Sequence, residues 1–233
     1  MKLSDAHHLP KTVAGLSLIL APLLLLGSAV ALPGSKSDEG AQLAVIAQHP
    51  DRYYLFCLLG LVGTALLVPA LLGLIQMLRE QAAAWGYLGG GLAIVGTLLG
   101  LVDWGSELVK WQMAAPSADR TEMAALLKRF DDAAGAALPL QISGFAFLIG
   151  VVFLTIGLYR ARAVPAWAPA GLLIGSFLNL AGFVASSVPL LIVSSALLLA
   201  ALGWIGWTVL AQSDTEWERT PEPARPRPAA ETP

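Results

Sequence analysis

From Trp167 to Ala211 the chain contains no charged residue, and this run constrains the fold more than any other feature. As one helix it would be about 67 Å long at 1.5 Å per residue, roughly twice the ~30 Å hydrocarbon thickness of a bilayer. It must therefore fold back. Ser186-Ser187-Val188-Pro189 is the natural turn, because proline suits the first turn of a new helix.

Four earlier stretches read the same way, giving six apolar segments over residues 13–32, 53–78, 86–109, 138–158, 166–187 and 189–211. The chain carries 14 Lys and Arg and 16 Asp and Glu, yet these segments hold only Asp103 and Glu107. Charged residues make up 13% of the sequence, against about 25% in soluble domains, and the mean hydropathy is +0.69. The expected fold is all-α: a polytopic bundle of six transmembrane spans with two short outer amphipathic helices.

Composition removes several function classes. A net charge of −2 with scattered Lys and Arg leaves no nucleic-acid footprint. The single cysteine, Cys57, permits no internal disulfide and no dithiol chemistry; it reads as an ordinary buried residue. His7, His8 and His49 all lie outside the apolar segments, which argues against a haem held between helices and against a zinc site within the bilayer. No HExxH, GxxxxGK[ST] or GxSxG motif occurs. No cofactor, metal or enzymatic activity is expected.

The connections carry their own signals. The first segment ends in Ala29-Val30-Ala31, which resembles a signal-peptidase site. Its apolar run exceeds the 7–15 residues of a signal peptide, so it reads as a retained first span; cleavage would leave five helices. In the loop over residues 33–51, Leu43, Ile46 and Ala47 recur at helical spacing between Asp38-Glu39 and Pro50, the pattern of a short surface helix. Asp51 is expected to cap the second span, and Pro69 to kink it.

In the loop over residues 110–137, Met123, Leu126, Leu127 and Phe130 share one helical face. Asp119 and Glu122 open this helix like a capping box, Asp131 and Asp132 lie on its solvated side, and Gly135 lies beyond its end. A lid over a cavity is the functional reading; a helix resting on lipid is the plainer one and is preferred. The segment 212–233, with Pro221, Pro223, Pro226, Pro228 and Pro233 among charges, reads as a disordered cytoplasmic tail.

Orientation follows from Lys and Arg. With the N-terminus inside, Lys2, Lys11, Arg79, Arg160, Arg162, Arg219, Arg225 and Arg227 are cytoplasmic; Lys36, Arg52, Lys110, Arg120, Lys128 and Arg129 are outside. The short loops hold Arg79, Arg160 and Arg162, and positive charge close to span ends marks the inner side. Both termini are expected in the cytoplasm.

The stretch Ile46-Ala47-Gln48-His49-Pro50-Asp51-Arg52-Tyr53, and the connection Leu158-Tyr159-Arg160-Ala161-Arg162-Ala163-Val164-Pro165-Ala166-Trp167, carry a resemblance. In layout over residues 12–211 the chain resembles a family of uncharacterised six-helix bacterial membrane proteins, a domain of unknown function. The resemblance implies a compact bundle in the bacterial plasma membrane, and it supplies no catalytic residues.

The third segment holds what chemistry there is. Gly89, Ala93, Gly96, Gly100, Asp103 and Glu107 fall three or four apart and form one stripe, and small residues on one face let helices approach closely. Gly171, Gly175, Asn179, Gly182 and Ser186 make a similar stripe in the fifth segment. By axial rise Asp103 stands about 8 Å, Glu107 about 14 Å, Asn179 about 4 Å and Gln141 about 10 Å to the outer side of their spans' centres. With Arg52 at the outer end of the second span, these five groups are candidates for one polar cavity open to the outside, although Gln141 does not share a face with the small residues of its own helix.

The plainer readings are specific too. Glu107 and Lys110 form a surface ion pair, Trp104 and Trp111 an interfacial belt, and Asn179 a single interhelical hydrogen bond. An ionisable group inside hydrocarbon is costly and by default marks function, so Asp103 resists such a reading. With Arg52 or Lys110 beside it, Asp103 is structural; without a cation, it marks a proton-coupled site. The functional expectation is a membrane protein that binds or passes a small solute or ion. The alternatives are a non-catalytic accessory subunit, which predicts no such cavity, and a membrane-embedded enzyme. The partners expected are the lipid bilayer, a small solute or ion, or another membrane protein.

Overall fold

A computed structural model describes residues 9–36, 38–213 and 217. Its elements are α1 (Leu9–Ala31), α2 (Glu39–Gln48), α3 (Pro50–Leu78), α4 (Ala83–Met113), α5 (Arg120–Asp131), α6 (Ala134–Ala161), α7 (Trp167–Val184) and α8 (Val188–Ala211). Among the described residues there is no strand. Six helices, α1, α3, α4, α6, α7 and α8, are long and apolar enough to cross a membrane; α2 and α5 are the two short ones.

The local reasons are visible at the helix ends. Asp38 caps α2 by accepting from the Ala41 amide at 2.7 Å. Asp119 caps α5 by accepting from the amides of Thr121 and Glu122. Asp51 is not the cap of α3: His49 precedes the helix, Pro50 opens it, and Asp51 lies in its first turn. Pro69 stands inside α3, which continues through it as one helix. Between α7 and α8 the chain turns at Ser186 with φ 49°, and the Ser187 amide bonds back to the Gly182 carbonyl at 2.9 Å. Pro189 then occupies the first turn of α8.

Several span boundaries differ from expectation, among them the starts of α4 and α6. Helix α4 begins at Ala83 and runs on to Met113, and α6 begins at Ala134. Alanine-rich flanks at both places favour helix, although they lack the hydropathy that marks a span. Gly135 lies beyond the end of α5, as expected, and falls in the first turn of α6.

The six long helices pack as a closed ring, each touching the next in the order α1, α3, α4, α6, α7, α8 and back to α1. Glycine makes these contacts close. A Cβ on Gly150 of α6 would lie 2.4 Å from the Ala93 amide nitrogen of α4, and one on Gly96 would lie 2.5 Å from the Phe147 nitrogen. A Cβ on Gly206 of α8 would stand 2.7 Å from the Gly15 carbonyl oxygen of α1. The two small-residue stripes thus serve packing: that of α4 against α6, and that of α7 against α8, where Gly175 faces Leu198 and Gly182 faces Leu191.

At the end remote from α2 and α5 the ring is filled. Leu18, Leu71, Leu74, Leu78, Val151, Leu154, Leu158 and Ile205 form a continuous apolar core. Trp217 joins this core and is buried; Arg79 Nη2 donates to its carbonyl at 3.1 Å, and Lys11 Nζ donates to the Gln212 carbonyl at 2.8 Å. Of the tail expected over residues 212–233, only Gln212, Ser213 and Trp217 are described. Residues 214–216 and 218–233 lie outside the described residues.

The opposite end carries a second apolar cluster. Leu43 and Ile46 of α2 and Leu127 of α5 are buried there with Leu32, Tyr53 and Cys57. Met123 packs against this cluster, whereas Leu126 and Phe130 remain exposed. Helix α5 therefore rests on protein along its Met123–Leu127 edge, and α2 lies partly beneath it.

Candidate functional site

Between the filled half and the short helices, the ring encloses a cavity of about 420 Å³. Its deep walls are apolar, from Pro22, Leu25, Leu67, Phe147, Leu172 and Leu202; Ser35, Lys36, Gln42 and Lys110 lie toward the end that carries α2 and α5. Asp103, Glu107 and Asn179 all line it.

The polar edge is built by α3 and α4. Glu107 receives Lys110 Nζ at 2.7 Å on Oε1 and the Tyr53 hydroxyl on Oε2. The Glu107 and Lys110 side chains are only 18% and 21% exposed, so this is a partly buried pair at the cavity's edge and not a surface one. Tyr53 itself is buried at the first turn of α3.

Asp103 sits one turn deeper on α4, and its surroundings differ. The Ser106 hydroxyl donates to the Asp103 backbone carbonyl at 2.7 Å and stands 3.5 Å from Oδ1. Among the described residues Asp103 has no ion pair. Lys110, a partner expected for it, is engaged by Glu107.

Below these groups the polar atoms of the wall are already occupied. Trp104 Nε1 donates to Thr64 Oγ1 at 2.8 Å, with its ring against Phe56 at a centroid distance of 5.1 Å. Gly60 makes room for that ring, since a Cβ there would fall 2.0 Å from it. Trp104 is therefore a wall of the cavity. Trp111 lies at the edge, donating to the Pro50 carbonyl at 3.1 Å beside Tyr54. Ser143 donates to the Gly96 carbonyl and Ser176 to the Leu172 carbonyl, both at 2.8 Å. Asn179 donates to Ser194 Oγ at 3.3 Å, which is the interhelical bond expected of it.

Two candidates lie elsewhere. Arg52 is exposed, with Nη2 donating to the Val30 carbonyl at 3.1 Å; it serves the free carbonyls at the end of α1. Gln141 is exposed on α6, at a suitable height but on the outer side of the ring. In their place the structure brings in Tyr53, Lys110, Trp104 and Thr64. Only Lys110 had a local signal, its i+3 spacing from Glu107. Among the described residues no three His, Cys, Asp or Glu side chains group as metal ligands.

A ring of apolar spans around a one-ended cavity defines a multi-pass helical membrane protein. The chain belongs to the family described as Domain of unknown function (DUF4386), which matches residues 13–211. No curated protein and no solved structure matches it.

Proposed function

We propose that this protein is a non-enzymatic component of the bacterial plasma membrane that binds a small solute in the α1–α8 ring, entered from the non-cytoplasmic side. The observation that carries this reading is the cavity itself: about 420 Å³, with apolar walls and a polar edge containing Asp103 and Glu107. Small-molecule sites are typically concave, largely apolar and about 300–1,000 Å³, with a few polar groups that orient the ligand. A purely scaffolding subunit has no need of such a space. The packed core on the far side favours binding over free passage.

Orientation rests on the basic residues. Arg79, Arg160 and Arg162 flank the end remote from α2 and α5, and positive charge near span ends supports a cytoplasmic position for that end and for both termini.

The test uses Cys57→Ala as background, because Cys57 is the single cysteine. A small impermeant thiol reagent added to intact cells is expected to modify Ser117→Cys at the surface and Asn179→Cys within the cavity, and to spare Ser213→Cys. Labelling of Ser213→Cys with Ser117→Cys spared would overturn the orientation. Failure of Asn179→Cys to react from either side, in protein shown to be folded, would overturn the open cavity.

A further inference from the structure

We infer that the solute taken by this cavity is an organic cation with an apolar body, an amine or quaternary ammonium whose charge is met by Asp103. The inference rests on the cavity being a binding site and deepens that reading.

Charge accounting at the polar edge carries it. Four ionisable side chains line the cavity: Asp103, Glu107, Lys110 and Lys36. Glu107 and Lys110 neutralise each other, and Tyr53 takes the second carboxylate oxygen. Lys36 is exposed, so water solvates it. Asp103 is the remainder. The one hydroxyl near it, that of Ser106, has a single proton, and the 2.7 Å bond to the Asp103 carbonyl uses it. The Asp103 carboxylate therefore has no donor at an ordinary hydrogen-bond distance among the described residues. A carboxylate in a low-dielectric span is costly unless a proton or a counter-charge neutralises it. A cationic ligand supplies the counter-charge; an anion would meet the same charge as repulsion.

The remaining walls suit the rest of such a ligand. Phe56 and Trp104 line the cavity, and aromatic faces attract organic cations. A bare metal ion is a poorer match. Hard cations take about six oxygen ligands, and no cluster of three or more acidic, His or Cys side chains is present among the described residues.

The experiment measures saturable binding of tritiated (1-naphthylmethyl)trimethylammonium to the full chain in lipid nanodiscs, with empty nanodiscs subtracted. Its neutral carbon isostere, 1-neopentylnaphthalene, is measured alongside. The cation is expected to bind about thirtyfold or more tightly than the isostere, the ratio for loss of one partner from a buried charge pair. Asp103→Asn is expected to abolish that preference, and Asp103→Glu to restore part of it; the melting temperature of each variant reports folding. The comparison of the two ligands on the unmodified chain stands even if a variant does not fold. Equal saturable binding of cation and isostere would overturn the ligand class while leaving the cavity as a binding site. Saturable binding of neither, with the Asn179→Cys cavity also closed to reagent, would remove both readings.

Discussion

Tyr53 and Glu107 stand 54 positions apart in the chain, and the phenol of the first donates to the carboxylate of the second. The same carboxylate holds Lys110 at 2.7 Å. One side chain of α3 is thereby bonded to an ion pair of α4 at the cavity's edge, and the three groups act as a unit.

Removing one member of such a unit costs more than its share. Tyr53→Phe is expected to lower stability by about 1.5–3 kcal/mol, the range for a hydrogen bond to a charged group. Lys110→Met alone is also destabilising, since it leaves Glu107 without its cation. The double variant is expected to fall short of the sum of the two, with a coupling of about 0.5–3 kcal/mol. Reversible unfolding in mild detergent reads all four corners of this cycle, and strict additivity would refute the coupling.

Glycines of one helix are expected to divide by what they touch. A Cβ on Gly96 would strike the α6 backbone, whereas one on Gly91 meets nothing within 4 Å. Gly96→Ala should therefore destabilise by about 1–3 kcal/mol through overpacking. Gly91→Ala should be neutral or stabilising by up to ~1 kcal/mol from helix propensity. Melting temperatures that ranked the two the other way would contradict the α4–α6 contact.

Trp217 is expected to behave as a core residue despite its place beyond the last span. Its burial against the apolar core makes Trp217→Ala cost about 3 kcal/mol. A melting temperature within a degree of the parent protein would show that the indole does not dock. The same variant is not expected to alter ligand binding at the cavity, which lies in the other half of the ring.

Asp131 offers a modest pH dependence. Its carboxyl is raised above the ordinary aspartate value, chiefly by desolvation, with Glu39 and Glu107 adding to the effect and Lys110 opposing it. A raised folded-state value means that the ionised group disfavours the folded form. The penalty is present above the raised value and disappears as pH falls below the unfolded value of 3.8. Asp131→Asn is thus expected to stabilise slightly at pH 7, by about 0.5 kcal/mol or less at so exposed a site, and to change nothing near pH 3. A gain that persisted at pH 3 would point to another cause.

Much of this fold was legible because its signals are local. Six spans follow from hydropathy alone, and the reversal at Ser186-Ser187 follows from a helix that would otherwise be too long. The stripe that ends in Asp103 and Glu107 was readable because 3.6-residue periodicity fixes azimuth within one helix. What was not legible is azimuth between helices. Axial rise put Gln141 at the right height, yet α6 is rotated so that Gln141 faces outward. Arg52 was near the right place, but its long side chain turns to the Val30 carbonyl. Tyr53 had no local mark at all, since its partner is on another helix. Trp104 read as interfacial because tryptophan so often is, and the space that receives its ring is made by Gly60, on a neighbouring helix.

The adjacency of α1 and α8 across Gly15 and Gly206 has a consequence for biosynthesis. A growing chain delivers α1 to the membrane first and α8 last, so the palisade stays open on one side until the final span is made. Until then Gly15 of α1 has no Gly206 to cross and that flank of α1 faces lipid. The chamber around Asp103 comes into being only as the last helix swings in beside the first.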